Sequence, residues 1–164
     1  SANRFALPRP LIDRISADFS FSGLKTALRL AAEEIAPLSD VDVADLCASF
    51  QAAVTDVVAN RAGHAMRMFA RNYEAPGVLV VAGGVAANEA IRAALRDEAT
   101  RHGFRLVAPP LRLCADNAAM IAWAGAERLA LGLTDSLNVA ARPRWPLDST
   151  NPSMFGSGAK GAKA

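Results

Sequence analysis

The chain has 164 residues, 52% of them hydrophobic, and a formal net charge of +2. This length and composition predict a folded protein with one ordinary domain or two small lobes, and the small charge does not by itself indicate a nucleic-acid partner. No apolar run approaches the roughly 18 residues that a membrane span needs, and the start SANRFALPRP has no signal-peptide core, so we expect a cytoplasmic protein without a membrane segment.

The N-terminal part of the chain begins without a clear hydrophobic period. The first 17 residues include two prolines, and we expect an extended lead-in without an evident packing partner. Phe19 and Phe21 alternate with polar neighbours, which predicts a short strand. After Gly23, apolar residues recur at helical spacing as far as Ile35, so a helix is predicted there.

A longer helical segment is predicted between residues 40 and 72. Ser39 and Asp42 have the spacing of a capping box, with Asp in place of the usual Glu. The apolar residues that follow keep helical spacing: Val43, Leu46, Phe50, Val54 and Val57. One long helix and a pair of helices both agree with this pattern.

The segment VLVVAGGVAAN, residues 78 to 88, carries the strongest local signal. Four consecutive apolar residues predict a strand over 78–82 that is covered on both faces, as in parallel sheets. Gly83 and Gly84 allow unusual backbone angles and a close approach of a ligand to the main chain. A helix from about Ala86 would direct free N–H groups at this turn, which favours a nucleotide or another polar ligand. An ordinary tight turn explains the same two glycines.

The remaining elements complete a βαβα unit. A helix over 86–101 leads to a second strand over 104–108, and a further helix over 117–131 ends before Gly132. Strand, helix and strand in this order predict parallel neighbours joined by a right-handed crossover. The tail is rich in Pro, Gly and Ser, and we expect residues 148–164 to be flexible.

Two loops should meet where the parallel strands end, because the carboxyl ends of parallel strands lie at one edge of a sheet. One loop carries Gly83, Gly84 and Asn88, and the other carries Cys114, Asp116 and Asn117. The Asn88 amide suits a purine or ribose edge, or else local bonding to the backbone. Asp116 suits a cap on the following helix, an oxygen ligand for a metal, or an acceptor for substrate.

Other reactive residues give weaker signals. His64 and His102 have no HxxxH or HExxH spacing, so we do not expect them to form a metal pair. Cys47 and Cys114 form no CxxC motif, which argues against a disulfide framework and predicts two buried thiols. No nucleophile with an adjacent base is evident, so the sequence gives covalent catalysis no support.

Three segments together resemble one family: DFSFSGLKTA at 18–27, VVAGGVAANEAIR at 80–92 and LCADNAAMIAWAG at 113–125. They are similar to the tRNA adenosine threonylcarbamoyltransferases, formerly described as glycoproteases or O-sialoglycoprotein endopeptidases, and the resemblance covers residues 3–147. It implies an α/β fold, the helix-rich C-terminal lobe of an actin-like ATPase (the ASKHA class), with a short parallel βαβα unit. Residues 1–147 would form this lobe.

The resemblance also implies an activity and a set of partners. Enzymes of this family transfer a threonylcarbamoyl group from threonylcarbamoyl-AMP to the adenosine next to the anticodon, in tRNAs that read codons beginning with A. The family's asparagine at the position of Asn88 binds this adenine nucleotide, with Gly83 and Gly84 beside it. The aspartate at the position of Asp116 is a ligand to a divalent metal, iron or alternatively zinc. An inactive paralogous subunit and a small P-loop ATPase are the implied protein partners.

One departure from the family limits what this chain can do. The family's metal site also needs two histidines in an HxxxH motif, and this chain has no such motif. We therefore interpret the chain as the C-terminal part of such an enzyme and expect it to be inactive alone. The alternatives are a non-catalytic nucleotide-binding or partner-binding module of the same fold, a sugar or acetate kinase of that fold class, and a metallo-glycoprotease. The sequence gives the glycoprotease alternative no mechanism, because this chain lacks an HExxH motif, a nucleophile dyad and paired carboxylates.

Overall fold

The structure, a computed structural model, describes residues 1–73 and 77–140. The chain forms two compact units, Ser1–Ala118 and Ala119–Ala164. The flexible tail predicted for 148–164 lies outside the described residues. None of the helices within the described residues is both long and apolar enough to cross a membrane.

Two helices form the N-terminal half of the first unit: α1, Ser22–Glu34, and α2, Asp40–Asn72. The predicted capping box begins α2, because the backbone N–H of Asp42 donates to Ser39 Oγ at 3.2 Å and that of Ser39 donates to Asp42 Oδ2 at 2.9 Å. The segment predicted over 40–72 is therefore one continuous helix of 33 residues.

The predicted βαβ arrangement is confirmed. Strand β1, Val78–Val80, pairs in parallel with β2, Arg105–Val107, and Leu79 stands opposite Leu106. Helix α3, Glu89–Arg101, connects the two strands.

The expectation that β1 is covered on both faces is wrong for the described residues. Val78 and Val80 are 48% and 67% exposed, whereas Leu79 and Val81 pack against the core. Alternate side chains of a strand point to opposite faces, and the helices of the first unit pack on the face that carries Leu79. The apolar run is thus a half-buried strand here.

The main core lies between α2, α3 and the sheet. Its buried members are Ala62, Met66, Ile91, Leu95, Ala99 and Phe104. Gly63 leaves room for the side chain of Glu98 from α3, because a Cβ at this position would lie 2.2 Å from Glu98 Oε1. Glu98 is itself buried and accepts a hydrogen bond from His102 or pairs with it at 3.0 Å.

The N-terminal segment packs on the helices, contrary to the expectation of a lead-in without a partner. Leu7 is buried in a second cluster with Leu24 of α1 and Ala53 of α2. Pairing of Arg4 with Asp42 and Asp45 adds a polar contact to α2.

A buried arginine holds the rest of this segment. The side chain of Arg61 is fully buried, and its guanidinium donates to the carbonyl oxygens of Ser16 at 2.7 Å and Ile12 at 2.9 Å. It also donates to the side chain of the adjacent Asn60. The buried charge is therefore stabilised by hydrogen bonds to carbonyl oxygens of the N-terminal segment, and the same bonds hold that segment in place.

The short strand predicted at Phe19 and Phe21 is not formed. These residues lie in irregular backbone before α1, with their rings stacked at 6.1 Å. Phe21 packs against the cluster around Leu24, while Phe19 is 54% exposed. The alternation reflects aromatic stacking before a helix, since no described strand pairs with this segment.

Among the described residues of the second unit, the regular structure is helix α4, Ala118–Ala130, which begins one residue before the unit does. It ends as predicted, because Gly132 has a positive φ of 70° and the N–H of Leu133 donates to Arg128 O at 2.9 Å. Several large apolar side chains of α4 are exposed within the described part of the chain, including Ile121 and Trp123.

Candidate functional site

A cavity of about 480 Å³ lies in the first unit between α1, α2 and the segment that follows β1. Its walls are mainly apolar and come from three helices: Leu28, Phe50, Val54 and Ile91. Its other lining residues are Cys47, Gln51, Gly84, Val85 and Asn88. The cavity therefore brings together Gly84 and Asn88, two of the residues that the sequence indicated.

The glycine turn forms as its composition indicates. Gly83 has a φ of 85°, in the left-handed region, which residues with a Cβ adopt only at a cost in free energy. A Cβ at Gly84 would meet nothing within 4 Å, so the backbone there borders open space. Gly83 does not itself line the cavity but turns the chain toward it.

The helix predicted from about Ala86 begins later. Residues Gly84–Ala87 form a short 3-10 turn, and α3 starts at Glu89 with Asn88 as its N-cap. Asn88 has extended backbone angles, and its Oδ1 accepts from the N–H of Ile91 at 3.1 Å. This capping bond favours a new helix start at Asn88 over continuous helix.

Of the two roles that the sequence left open for Asn88, the structure shows local bonding. Its Oδ1 bonds the local backbone as an N-cap, and its Nδ2 donates to Gln51 Oε1 of α2 at 2.9 Å. The residue is half-buried and lines the cavity. Local bonding thus fixes the amide in place at the cavity wall.

Arg92 links the two loops that were predicted to meet. Its guanidinium donates to Ala86 O from Nε at 2.9 Å and from Nη2 at 2.7 Å, and Nη2 also lies 3.4 Å from Cys114 Sγ. This contact brings Ala86 of the first loop and Cys114 of the second to one side chain, but no residue of the second loop lines the cavity. Sequence reasoning missed Arg92, and its spacing of four residues from Asn88 is the one signal that places it above the same turn.

The cysteines differ in environment. Cys114 is buried, with its Sγ 3.6 Å from the carbonyl oxygens of Pro109 and Pro110, so it behaves as the predicted buried thiol. Cys47 is exposed at the cavity, and the prediction that it is buried is wrong because it lies on a face of α2 that the described residues leave open. Both thiols are free.

Asp116 does not line the cavity. It is exposed and lies between a 3-10 turn, Leu111–Leu113, and α4. Since α4 begins at Ala118, Asn117 and not Asp116 directly precedes the helix, and the spacing on which a capping role for Asp116 depends is absent. Residues 1–73 and 77–140 contain no group of three or more His, Cys, Asp or Glu that could hold a metal ion.

The histidines lie on the packed side of α2 and α3 and do not line the cavity. His102 Nε2 is 3.0 Å from Glu98 Oε1 and 3.3 Å from Arg67 Nη1. Burial lowers the pKa of His64, and the positive charges of Arg67 and Arg61 lower this pKa further. Both histidines are half-buried, and neither belongs to a group of three or more His, Cys, Asp or Glu within the described residues.

Comparison with known proteins gives one consistent result. The family model described as tRNA N6-adenosine threonylcarbamoyltransferase matches residues 1–123. Curated proteins of that name from Brucella ovis, Brucella canis and Brucella melitensis are each 59% identical over 163 residues. The match covers 98% of this chain and 45% of each relative, so the chain spans less than half the length of the relatives it matches.

Proposed function

Because the chain belongs to the tRNA N6-adenosine threonylcarbamoyltransferase family, we propose that it is the C-terminal lobe of an enzyme with this activity. The complete enzyme would transfer a threonylcarbamoyl group from threonylcarbamoyl-AMP to an adenosine of tRNA. We further propose that residues 1–147 form one lobe of an actin-like ATPase fold. The parallel α/β unit with its helix-rich surroundings supports this assignment.

The cavity beside Asn88 is the observation that carries the proposal. Its volume of about 480 Å³ lies in the range of small-molecule sites, which are mostly apolar with a few placed polar groups. Phe50 and Ile91 would contact the faces of an adenine ring, and Asn88 would donate an amide N–H to a polar edge of the nucleotide. Gly84 leaves the backbone accessible to the same ligand.

In the proposed reaction, this lobe binds and orients the adenylate. The exocyclic amine of the tRNA adenosine attacks the carbamoyl carbon, a new N–C bond forms, the C–O bond to AMP breaks, and the amine loses a proton. Binding of the AMP part would hold the carbamoyl carbon in position for attack, and this orientation would raise the rate of transfer. Asn88, fixed through both ends of its amide, suits this positioning role.

We also propose that Asp116 is the contribution of this chain to a metal site, with iron or zinc as the ion. This part rests on the family resemblance alone. The described residues do not fit a metal ion by themselves, because they bring no further His, Cys, Asp or Glu into a metal-binding group with this carboxylate. We therefore assign no chemical step to the metal.

The implied partners are part of the same proposal: tRNA, an inactive paralogous subunit and a small P-loop ATPase, in the cytoplasm. A non-catalytic nucleotide-binding module is the second candidate, and the lone carboxylate of Asp116 favours it. A metallo-glycoprotease receives no support from the described residues, since its mechanism also needs a metal site.

A chimera tests the transferase proposal. The N-terminal part of the Brucella ovis relative, which this chain does not match, would be joined to residues 1–164 of this chain. Transfer of labelled threonylcarbamoyl from its adenylate to tRNA is the readout, with the intact relative as the reference. An active chimera supports the transferase proposal. A chimera that folds and binds AMP but transfers nothing supports the binding module instead.

A further inference from the structure

The hydrogen bonds around Asn88 fix which way its amide points. The N–H of Ile91 is a donor only, so the atom of Asn88 that lies 3.1 Å away must be the amide oxygen. The amide nitrogen of Asn88 then faces Gln51, and the atom of Gln51 at 2.9 Å must be its oxygen. Both orientations follow from backbone chemistry and not from an arbitrary choice between oxygen and nitrogen.

This arrangement leaves one N–H of Asn88 Nδ2 without a partner among the described residues. The first proton of Nδ2 is bonded to Gln51, and Oδ1 is bonded to Ile91. Asn88 and Gln51 both line the apolar cavity. The free N–H is therefore the polar group that Asn88 offers to a ligand there, and it requires an acceptor atom on that ligand.

We propose that Gln51 is a positioning residue of the nucleotide cavity: its Oε1 holds the Asn88 amide so that the second N–H donates to an acceptor atom of the adenine base or ribose. This inference rests on the proposed nucleotide function of the cavity. It adds a residue from α2, 37 positions away in the chain, to the recognition of the ligand.

The position of Gln51 agrees with this role. Gln51 is exposed on α2, so its side chain does not fill the core. It links α2 to the first turn of α3 at the cavity wall, where Asn88 would otherwise lack a contact on its nitrogen side. An exposed amide that bonds only another cavity residue among the described ones is better explained by ligand orientation than by packing.

Binding of adenosine to the 164-residue chain tests the proposal, measured by calorimetry. Adenosine is neutral, so a charge introduced at position 51 does not repel it as it would repel AMP. Gln51→Met removes both polar atoms with little change in length and should weaken binding about 3- to 10-fold, the usual effect of one lost hydrogen bond. Gln51→Glu keeps an oxygen acceptor for Asn88 and should bind adenosine within about 2-fold of the unsubstituted chain.

The matched control is Asn72→Ala, which removes an exposed amide at the other end of α2, where Asn72 Nδ2 donates to Met68 O. It should leave adenosine binding unchanged. The side-chain amide signals of Asn88 in an NMR spectrum give a second readout without ligand. They should shift in the Gln51→Met chain and keep their position in the Asn72→Ala chain.

Each result has one meaning. Unchanged binding by a folded Gln51→Met chain overturns the positioning role while leaving the nucleotide site intact. Equal weakening by Gln51→Glu and Gln51→Met also overturns it, since Gln51 would then act through its own NH2 group. No binding of adenosine or AMP by the unsubstituted chain contradicts the nucleotide function of this lobe, and with it this inference.

Discussion

Arg92 and Ala86 are joined by two hydrogen bonds to a single carbonyl oxygen, at 2.9 Å from Nε and 2.7 Å from Nη2. The side chain of α3 thereby fixes the 3-10 turn that precedes the helix. Ala86 is buried, so its carbonyl oxygen has little access to water as an alternative partner. The shape of the cavity wall from Gly84 to Asn88 depends on this contact.

Replacing Arg92 should therefore loosen the turn. We expect Arg92→Met to lower the free energy of unfolding by about 1–3 kcal/mol, because a buried carbonyl oxygen loses a charged donor. Urea denaturation measures this change. Arg96→Met is the matched control, since Arg96 lies one turn later on α3, is exposed, and bonds Thr100 only through its backbone carbonyl, which the substitution keeps; it should change stability by less than about 0.5 kcal/mol. Equal effects of the two substitutions would contradict the role given to Arg92.

The two adjacent glycines should respond differently to alanine. Gly83 has a φ of 85°, so Gly83→Ala should destabilise the chain by about 1–2 kcal/mol in thermal or urea unfolding. Gly84 has no positive φ and has open space around it, so Gly84→Ala should leave stability nearly unchanged. Its methyl group borders the cavity and should weaken adenosine binding. A stable Gly83→Ala chain would show that the left-handed turn is not required.

Gly63 leaves room on α2 for the buried carboxylate of Glu98. A Cβ there would lie 2.2 Å from Glu98 Oε1, so Gly63→Ala should move this carboxylate from His102 and Arg101, with a net loss of about 1 kcal/mol after the gain in helix propensity. Gly23→Ala in α1 is the control, since its Cβ meets nothing within 4 Å, and stability should stay equal or rise. Chemical denaturation measures the free energy of unfolding of both variants. A Gly63→Ala chain as stable as the Gly23→Ala chain would rule out the proposed close contact.

The capping box at the start of α2 should make stability depend on pH. Hydrogen bonds from the Ser39 side chain, then from its backbone, and the nearby Arg4 lower the pKa of Asp42 from its ordinary 3.8 to about 2. Since the folded pKa is lower than the unfolded one, this stabilisation is present above pH 3.8 and is lost as pH falls toward 2. Unfolding measured from pH 6 down to about 2 should show this loss, and Asp42→Asn should reduce the slope over the same interval.

Features encoded by local chemistry could be predicted from the sequence. Ser39 and Asp42 indicated where α2 begins, Gly132 indicated where α4 ends, and Gly83 indicated the turn after β1, because capping and left-handed turns depend on a few neighbouring residues. The two strands were recognisable as short apolar runs with Gly or Pro at their ends. Of the residues predicted for the site, Gly84 and Asn88 do line one cavity.

Features that depend on distant contacts could not be predicted in the same way. The bond between Gln51 and Asn88 joins residues 37 positions apart, and no periodicity in either helix encodes it. The predicted strand at Phe19 failed because alternation alone does not supply a hydrogen-bonding neighbour. The burial of Leu7 likewise depends on α1 and α2 being in place, which a local reading of the first 17 residues does not reveal.

The fully buried Arg61 ties the N-terminal segment to the rest of the chain. Its guanidinium is held by the carbonyl oxygens of Ile12 and Ser16, so removal of the first 17 residues would leave a charged group facing an apolar interior or newly admitted water. The N-terminal segment is thus an integral part of the folding unit and not a linker to it. A boundary between domains in a longer protein would have to precede this segment.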